Sequence, residues 1–342
     1  MEIKQQVQQG ISINDDATFG ELVDAWEKYY TPKATVNWVY QQRHNIDKHL
    51  MPHLVDRKAK SLKKFDLQSL LNLLADKGYS TSTMKKLKIV AVQILEVARD
   101  KGLIIENPFR DVKVVEIKPN ERRALTDIEI DLITDTWKDH RMGHVALIML
   151  YCGLRRGEIM ALNWSDIDFE GKMIQVTKAI SIINNQPVTK EPKSKAGIRE
   201  VPIPDFLIDV LRNVEQSSTI VCPDTKGLRM TDVAYRRAWS SYEYYINLQA
   251  GGEPAKGGNP KVTVLDHITA HMLRHTYASL LYEANVDIKS AQRFLGHSDI
   301  DTTLEIYTHL TKRKEEEAIN SLNAHLSNRL NRDKQSFERD CR

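Results

Sequence analysis

The chain has 342 residues, 41% hydrophobic and 28% charged, with a formal net charge of +3. That length accommodates two ordinary domains with real cores, and so small a net charge means that any surface for nucleic acid must be local. Three widely spaced cysteines, Cys152, Cys222 and Cys341, contain no C-x-x-C, which argues against a disulfide framework or a zinc site and suits a reducing cytoplasm. The N-terminal MEIKQQVQQG lacks a signal-peptide core. The most apolar run, Val145 to Cys152, falls far short of the ~20 residues a membrane helix needs, so a cytoplasmic chain with no membrane partner is expected.

Residues 1–15 read as a loose leader, and residues 16–110 as an all-helical unit. Thr18 and Glu21 form a capping-box pattern ahead of an apolar stripe of Phe19, Leu22, Val23 and Trp26. A second helix fits Val36 to Leu50 and should end at Met51-Pro52. A third fits Asp66 to Ala75. A fourth fits Ser82 to Lys101, where Met84, Leu87, Ala91, Ile94, Leu95 and Ala98 recur at helical spacing. Two basic clusters lie here: Arg57, Lys58, Lys60, Lys63 and Lys64, then Lys85, Lys86 and Lys88. Either alone would be a solvated face; two on one small helical unit argue for phosphate contacts. His44, His49 and His53 lack acidic or cysteine company at zinc spacing, so no metal site is expected. Residues 111–125, DVKVVEIKPNERRAL, read as a linker.

The next unit spans residues 126–311. Thr126 caps a helix, the apolar Val145–Tyr151 helix follows, and then comes GLRRGE at 153–158. Alternation over Lys172–Ile183, a turn at Asn184-Asn185, Val188-Thr189 and Arg199–Ile203 predict one small antiparallel sheet. Leu207–Val214 and Asp232–Leu248 read as helices. The Gly- and Pro-rich loop Ala250–Lys261 has no phosphate-loop motif. Helices are then expected at Ala270–Glu283 and Ile288–Leu295, with Gly296 as C-cap. His271 and Arg274, three apart on the first of these, share a face; His297 follows Gly296, and Tyr307 lies beyond it.

This set has a chemical logic. Arginine forks fit two phosphate oxygens, histidine moves protons near neutral pH and tyrosine is a covalent nucleophile. A tyrosine attacking a phosphodiester held by arginines accounts for the set with neither metal nor cofactor. In the tail, 312–342, Ile319, Leu322, Leu326 and Leu330 form a narrow apolar stripe, suited to docking on its own domain or on a neighbour.

Read as a whole, HMLRHTYAS, LGHSDIDTT and IYTH resemble the second conserved box of the tyrosine recombinase (phage integrase) family, and YCGLRRGEIMALNWSDID resembles its first. The resemblance covers residues from about 15 to 315. It implies a mainly α fold with a small antiparallel β-sheet: a helical core-binding domain over 16–110 and an α/β catalytic domain over 126–311. It implies Arg155 as a catalytic arginine by its place in G-L-R-x-G-E, with Glu158 bracing it and Arg156 pointing elsewhere. It implies Lys193, in P-K-S-K-A-G-x-R-x-x-P, as the hairpin lysine that protonates the leaving oxygen, with Lys190 and Lys195 as alternatives. His271, Arg274, His297 and Tyr307 fill the remaining positions. The implied activity is integration or excision of a mobile element at attachment sites in double-stranded DNA, through a 3′-phosphotyrosine. The implied assembly is a homotetramer whose C-terminal segments are exchanged, acting in the cytoplasm on the nucleoid, with a directionality factor as a further partner. Many such integrases carry an N-terminal arm-binding domain, for which there is no room before Thr18. Two other readings are a type IB topoisomerase and a non-catalytic DNA-binding protein; the intact residue set argues against the latter.

Overall fold

Side-chain caps from Thr18, Thr35, Ser80, Thr126, Thr231, Thr269 and Asp287 fix where many of the helices start, and apolar spacing fixes which faces they bury. The computed structural model describes residues 16–32, 34–117, 123–183, 185–191, 195–254, 264–308, 310–311, 315, 319 and 322–323. The chain divides into two compact units, Met1–Glu121 and Arg122–Arg342.

In the first unit, helix α1 (Phe19–Tyr30) opens with a capping box in which Thr18 N–H donates to Glu21 Oε2 at 2.8 Å. Helix α2 (Val36–Asn45) does not end before Pro52 as expected. It widens into a π turn at Ile46–Leu50 and continues as α3 (Met51–Leu54). Proline has no N–H to offer the preceding turn and its ring crowds the carbonyl four residues back. Met51 N–H instead reaches the Ile46 carbonyl, and the wider turn absorbs the misfit. Helices α4 (Lys64–Asp76) and α5 (Thr81–Asp100) complete the bundle. Trp26 and Leu22 of α1, Leu67 and Leu71 of α4, and Leu87 and Ile94 of α5 share one core with Phe109 and Val112. The start of the stretch expected as linker lies along this bundle. Gln68 brackets the backbone of Lys113 with two hydrogen bonds, and Ile117 N–H donates to Thr81 Oγ1 at 2.7 Å.

The second unit begins with α6 (Asp127–Asp135), again boxed, by Thr126 and Glu129. Helix α7 (Gly143–Cys152) is apolar on every side and buried almost throughout, the pattern of a central helix. It stops at Gly153, which is left-handed at φ +64°, and α8 (Arg156–Ala161) follows. Two sheets stand where one was expected. Strands β1 (Ile167–Asp168) and β2 (Met173–Val176) pair, and β3 (Ala179–Ile183) and β4 (Gln186–Lys190) form a separate hairpin. Strand β5 (Arg199–Pro202) returns to β2, giving the order β1-β2-β5. The alternation breaks at Thr177-Lys178, where Lys178 Nζ turns to Asp166 at 2.9 Å, so the chain leaves the first sheet before the hairpin begins. On β5 the period of two buries Arg199 and Val201 and exposes Glu200.

Helices α9 (Asp205–Arg212), α10 (Asp232–Gln249), α11 (Ala270–Glu283) and α12 (Ile288–Leu295) follow, and residues 301–308 are helical. Helix α11 packs along α7. Lys193, the leader and nearly all of the tail lie outside the described residues. Among the described residues no helix is long and apolar enough to cross a membrane.

A Cβ at Gly153 would stand 2.2 Å from Tyr277 Cδ1, in a backbone conformation that L-residues avoid. Gly153→Ala should therefore cost roughly 3 kcal/mol or more, read as a lowered midpoint in urea unfolding.

Candidate functional site

Two helix C-termini converge on the site. Helix α7 ends at Gly153 and α12 ends at Gly296, both left-handed at φ +64°. Their terminal carbonyls face arginines. Gly153 O accepts from Arg274 Nη1 at 2.6 Å, Leu295 O accepts from Arg274 Nη2, and Gly296 O accepts from Arg155 Nη2 at 2.8 Å. The last carbonyls of a helix lack partners within it and carry its partial negative charge. They satisfy guanidinium donors without neutralising them.

The carboxylate in this cluster is Glu158, the third residue of α8. It accepts from Arg155 N–H and from Arg155 Nη1, each at 2.8 Å. It also receives both arms of Arg199, at 3.0 and 2.9 Å. Arg199 Nε donates in turn to the Phe294 carbonyl of α12 at 2.8 Å, so Arg199 ties β5, α8 and α12 together. Motif reading passed over this residue, although it occupies the arginine place of P-K-S-K-A-G-x-R-x-x-P and alternates with Val201 and Ile203.

Burial grades the three cations. The Arg199 and Glu158 side chains are 2% and 5% exposed, and that of Arg155 is 41% exposed. Arg274 is buried. Burial, and then the neighbouring Arg155, lower its pKa to about 9, so it stays cationic at neutral pH. Burial alone would raise the Glu158 carboxyl. The bonds and charge of Arg199, joined by Arg155, outweigh it and bring the pKa to about 2.

Arg155, Arg274 and His271 line a cavity of about 650 Å³, which continues past Arg156, Arg236 and His267. Arg156 is held off the centre by Asp232 and by the face of Tyr235, 4.5 Å from its guanidinium. His297 follows Gly296, and its Nδ1 lies 2.9 Å from Thr303 Oγ1. Burial, then the charges of Arg274, Arg155 and Arg199 and the neighbouring His271, push its pKa down to about 4, leaving the ring neutral at pH 7.

Tyr307 is placed differently. Its hydroxyl donates to the Val286 carbonyl at 3.2 Å, its ring meets Tyr282 edge-on at 5.2 Å, and it belongs to a small buried cluster with Tyr277, Ala291 and Leu295. Burial and then Asp287 raise its pKa. Lys193 falls outside the described residues, Lys190 ends β4 half-buried, and Lys195 opens a single 3₁₀ turn, Lys195–Gly197.

The basic clusters of the first unit are uneven. Arg57 is bonded to Asp66, Lys58 to Asp16, and Lys85 lies 3.8 Å from Glu116. Lys60, Lys63, Lys64 and Lys86 are exposed and Lys88 half-buried. Lys86 lines a groove of about 490 Å³ between α2 and α5, with Trp38, Tyr40, Gln42 and His44.

A model of the phage integrase family matches residues 123–314, and one of the phage integrase N-terminal SAM-like domain matches residues 18–75. A tyrosine recombinase XerC-like protein of Caldanaerobacter subterraneus subsp. tengcongensis is 28% identical over 343 residues, covering 93% of this chain and 86% of that protein. Among solved structures, the Tn1549 transposon integrase in complex with a circular intermediate DNA is similar at a TM-score of 0.69 and 19% identity, covering 88% of this chain and 99% of that one. A lambda integrase tetramer bound to a Holliday junction is similar at a TM-score of 0.61 and 17% identity, covering 87% and 85%.

Removing one partner of the buried Glu158–Arg199 pair strands the other. Glu158→Ala should cost ~3–5 kcal/mol, measured by urea unfolding at pH 7. The pH dependence follows from two depressed values. Glu158 stabilises the fold fully above its ordinary 4.5 and loses that contribution as pH falls towards about 2. His297 does so above its ordinary 6.5, losing it as pH falls towards about 4. Stability of the parent should thus decline in two stages below pH ~6.5, and Glu158→Ala should lose the lower stage.

Proposed function

This chain belongs to the phage integrase family of tyrosine-type site-specific recombinases, and we propose that it cuts and rejoins double-stranded DNA at the cavity lined by Arg155 and Arg274. The observation that carries this reading is the cation pair itself. Arg155 and Arg274 are held on helix-terminal carbonyls, Glu158 is shared with Arg199, and the excess positive charge faces a cavity large enough for a strand of backbone. Such a site is built for an anion.

In the proposed mechanism Arg155 and Arg274 bind the non-bridging oxygens of the scissile phosphate and stabilise the charge that grows in the pentacoordinate transition state. Tyr307 oxygen forms a bond to phosphorus, and the bond from phosphorus to the 5′ oxygen breaks. Lys193 supplies the proton to that leaving oxygen. His271 moves the tyrosine proton, above all in the reverse step. His297, neutral near pH 7, donates a hydrogen bond to the phosphate. The 3′-phosphotyrosine keeps the reactivity of the diester, so the 5′ hydroxyl of a partner strand can religate it without ATP. Tyr307 must first leave the Val286 carbonyl that holds its hydroxyl.

On the same reading, residues 16–110 form the core-binding domain and 126–311 the catalytic domain. Lys60, Lys63, Lys64, Lys86 and Lys88 contribute more to backbone contacts than Arg57, Lys58 and Lys85, whose charge is met by carboxylates. The similarity to an integrase seen as a tetramer on a Holliday junction supports a homotetramer in synapsis, joined through the segment 312–342. The element served is mobile, a directionality factor is a further partner, and the place of action is the nucleoid in the cytoplasm.

Nicked suicide duplexes taken from the DNA flanking the gene provide the test. Tyr307→Phe should bind them in a gel shift as the parent does and leave no covalent adduct. An adduct formed by that variant would move the nucleophile to Tyr282 or Tyr277. Arg274→Lys should also bind normally yet cleave on the order of 100-fold more slowly, since lysine cannot bind in a fork.

A further inference from the structure

His297 follows Gly296, whose carbonyl holds Arg155, and its backbone is fixed on both sides. Its N–H donates to the Gln292 carbonyl and its own carbonyl accepts from Gln292 Nε2, both at 3.2 Å. The ring is then turned so that Nδ1 meets Thr303 Oγ1 at 2.9 Å. Among the described residues, the charged and titratable groups acting on that ring include Arg274, Arg155, Arg199 and His271. They lie on α11, at the start of α8 and on β5, and they all favour the uncharged imidazole. A neutral imidazole has one N–H and one acceptor nitrogen. A phosphate offers acceptors, so the ring can bind it only if the proton sits on Nε2.

Thr303 decides which nitrogen that is. It is 1% exposed, and among the described residues its hydroxyl makes no hydrogen bond except the one to His297. If Nδ1 carried the proton, it would donate to Oγ1 and leave the buried threonine hydroxyl proton without an acceptor, at a cost of ~1–3 kcal/mol. With the proton on Nε2, the hydroxyl donates to Nδ1 and both groups are satisfied. We propose that Thr303 is a positioning residue that fixes His297 as the Nε2–H tautomer and so points its proton at the phosphate. This rests on the reading of the cavity as a phosphodiester site. Thr303 also lies four residues before Tyr307 on the helix 301–308, on the same face, and both are buried. The tautomer is therefore set from the helix that carries the nucleophile, and only while that helix is seated.

Two measurements test this. The first is ¹⁵N NMR of the histidine rings in the full-length parent without DNA, with His297 assigned by its loss in His297→Gln. At pH 7 the expected spectrum has a protonated Nε2 and an unprotonated Nδ1; a ring protonated on Nδ1 overturns the proposal. Thr303→Val should then give a mixture of tautomers, and Thr303→Ser should restore the parent pattern. The second is the rate of adduct formation on the suicide duplexes. Thr303→Val should bind DNA as the parent does but react on the order of 10- to 100-fold more slowly, with Thr303→Ser recovering most of the loss. Equal rates for parent and Thr303→Val overturn the proposal, and so does equal slowing by valine and serine with an unchanged tautomer, which marks a packing role. Absence of any adduct from the parent would sink the recombinase mechanism, while the spectrum of the free protein would still decide the tautomer.

Discussion

Repulsion between guanidinium groups is the constraint on which the second unit depends. Arg155, Arg199 and Arg274 are crowded around Glu158, and the crowding is felt: each arginine depresses the proton affinity of His297, and Arg155 depresses that of Arg274. The fold meets this with geometry. Glu158 is placed between two of the cations, and helices α7 and α12 end with their free carbonyls turned to the third and to Arg155. These carbonyls satisfy donors while leaving net charge in place. What remains unbalanced faces the cavity lined by Arg155 and Arg274, so under the proposed function an incoming phosphate would complete the electrostatic arrangement.

The two glycines at those helix ends matter for the same reason. A left-handed residue turns the chain away abruptly and leaves the carbonyls of Gly153, Leu295 and Gly296 facing out past the helix ends, where the arginines meet them. At Gly296 a side chain would also meet Arg199, with Cδ and Nη1 each 2.9 Å from the Cβ position. The absent side chain is thus part of the space in which the buried ion pair lies. Packing of Tyr277 over Gly153 makes the equivalent demand at the other end.

Much of this was legible in the sequence where a local rule governs. Thr18 with Glu21, and Thr126, announced their helices, and Gly296 announced the end of α12. Expectation failed where the outcome depends on partners distant in the chain. Pro52 reads locally as a stop, yet one π turn kept the helix going because Ile46, His49 and Leu50 had a core to fill. Alternation over 172–183 reads as one strand; the Lys178 contact with Asp166 splits it. Arg199 was visible as a motif letter, but its burial against Glu158 needed the return of β5 to β2. The Tyr307 hydroxyl could not be placed at all, since nothing near it in sequence names Val286 as its partner.

That last contact has a consequence for timing. A side chain that must break a hydrogen bond and withdraw an aromatic ring from a buried cluster cannot strike at random, however well its target is bound. If Tyr307 is the nucleophile, as proposed, the free protein would thereby be shielded from attaching itself to any phosphodiester that drifts into the cavity. Under the proposed mechanism the opening of the Tyr282–Tyr307–Val286 cluster would act as a gate before the chemistry. Substitutions in that cluster, far from the phosphate, would then change how often attack is attempted rather than how fast each attempt succeeds.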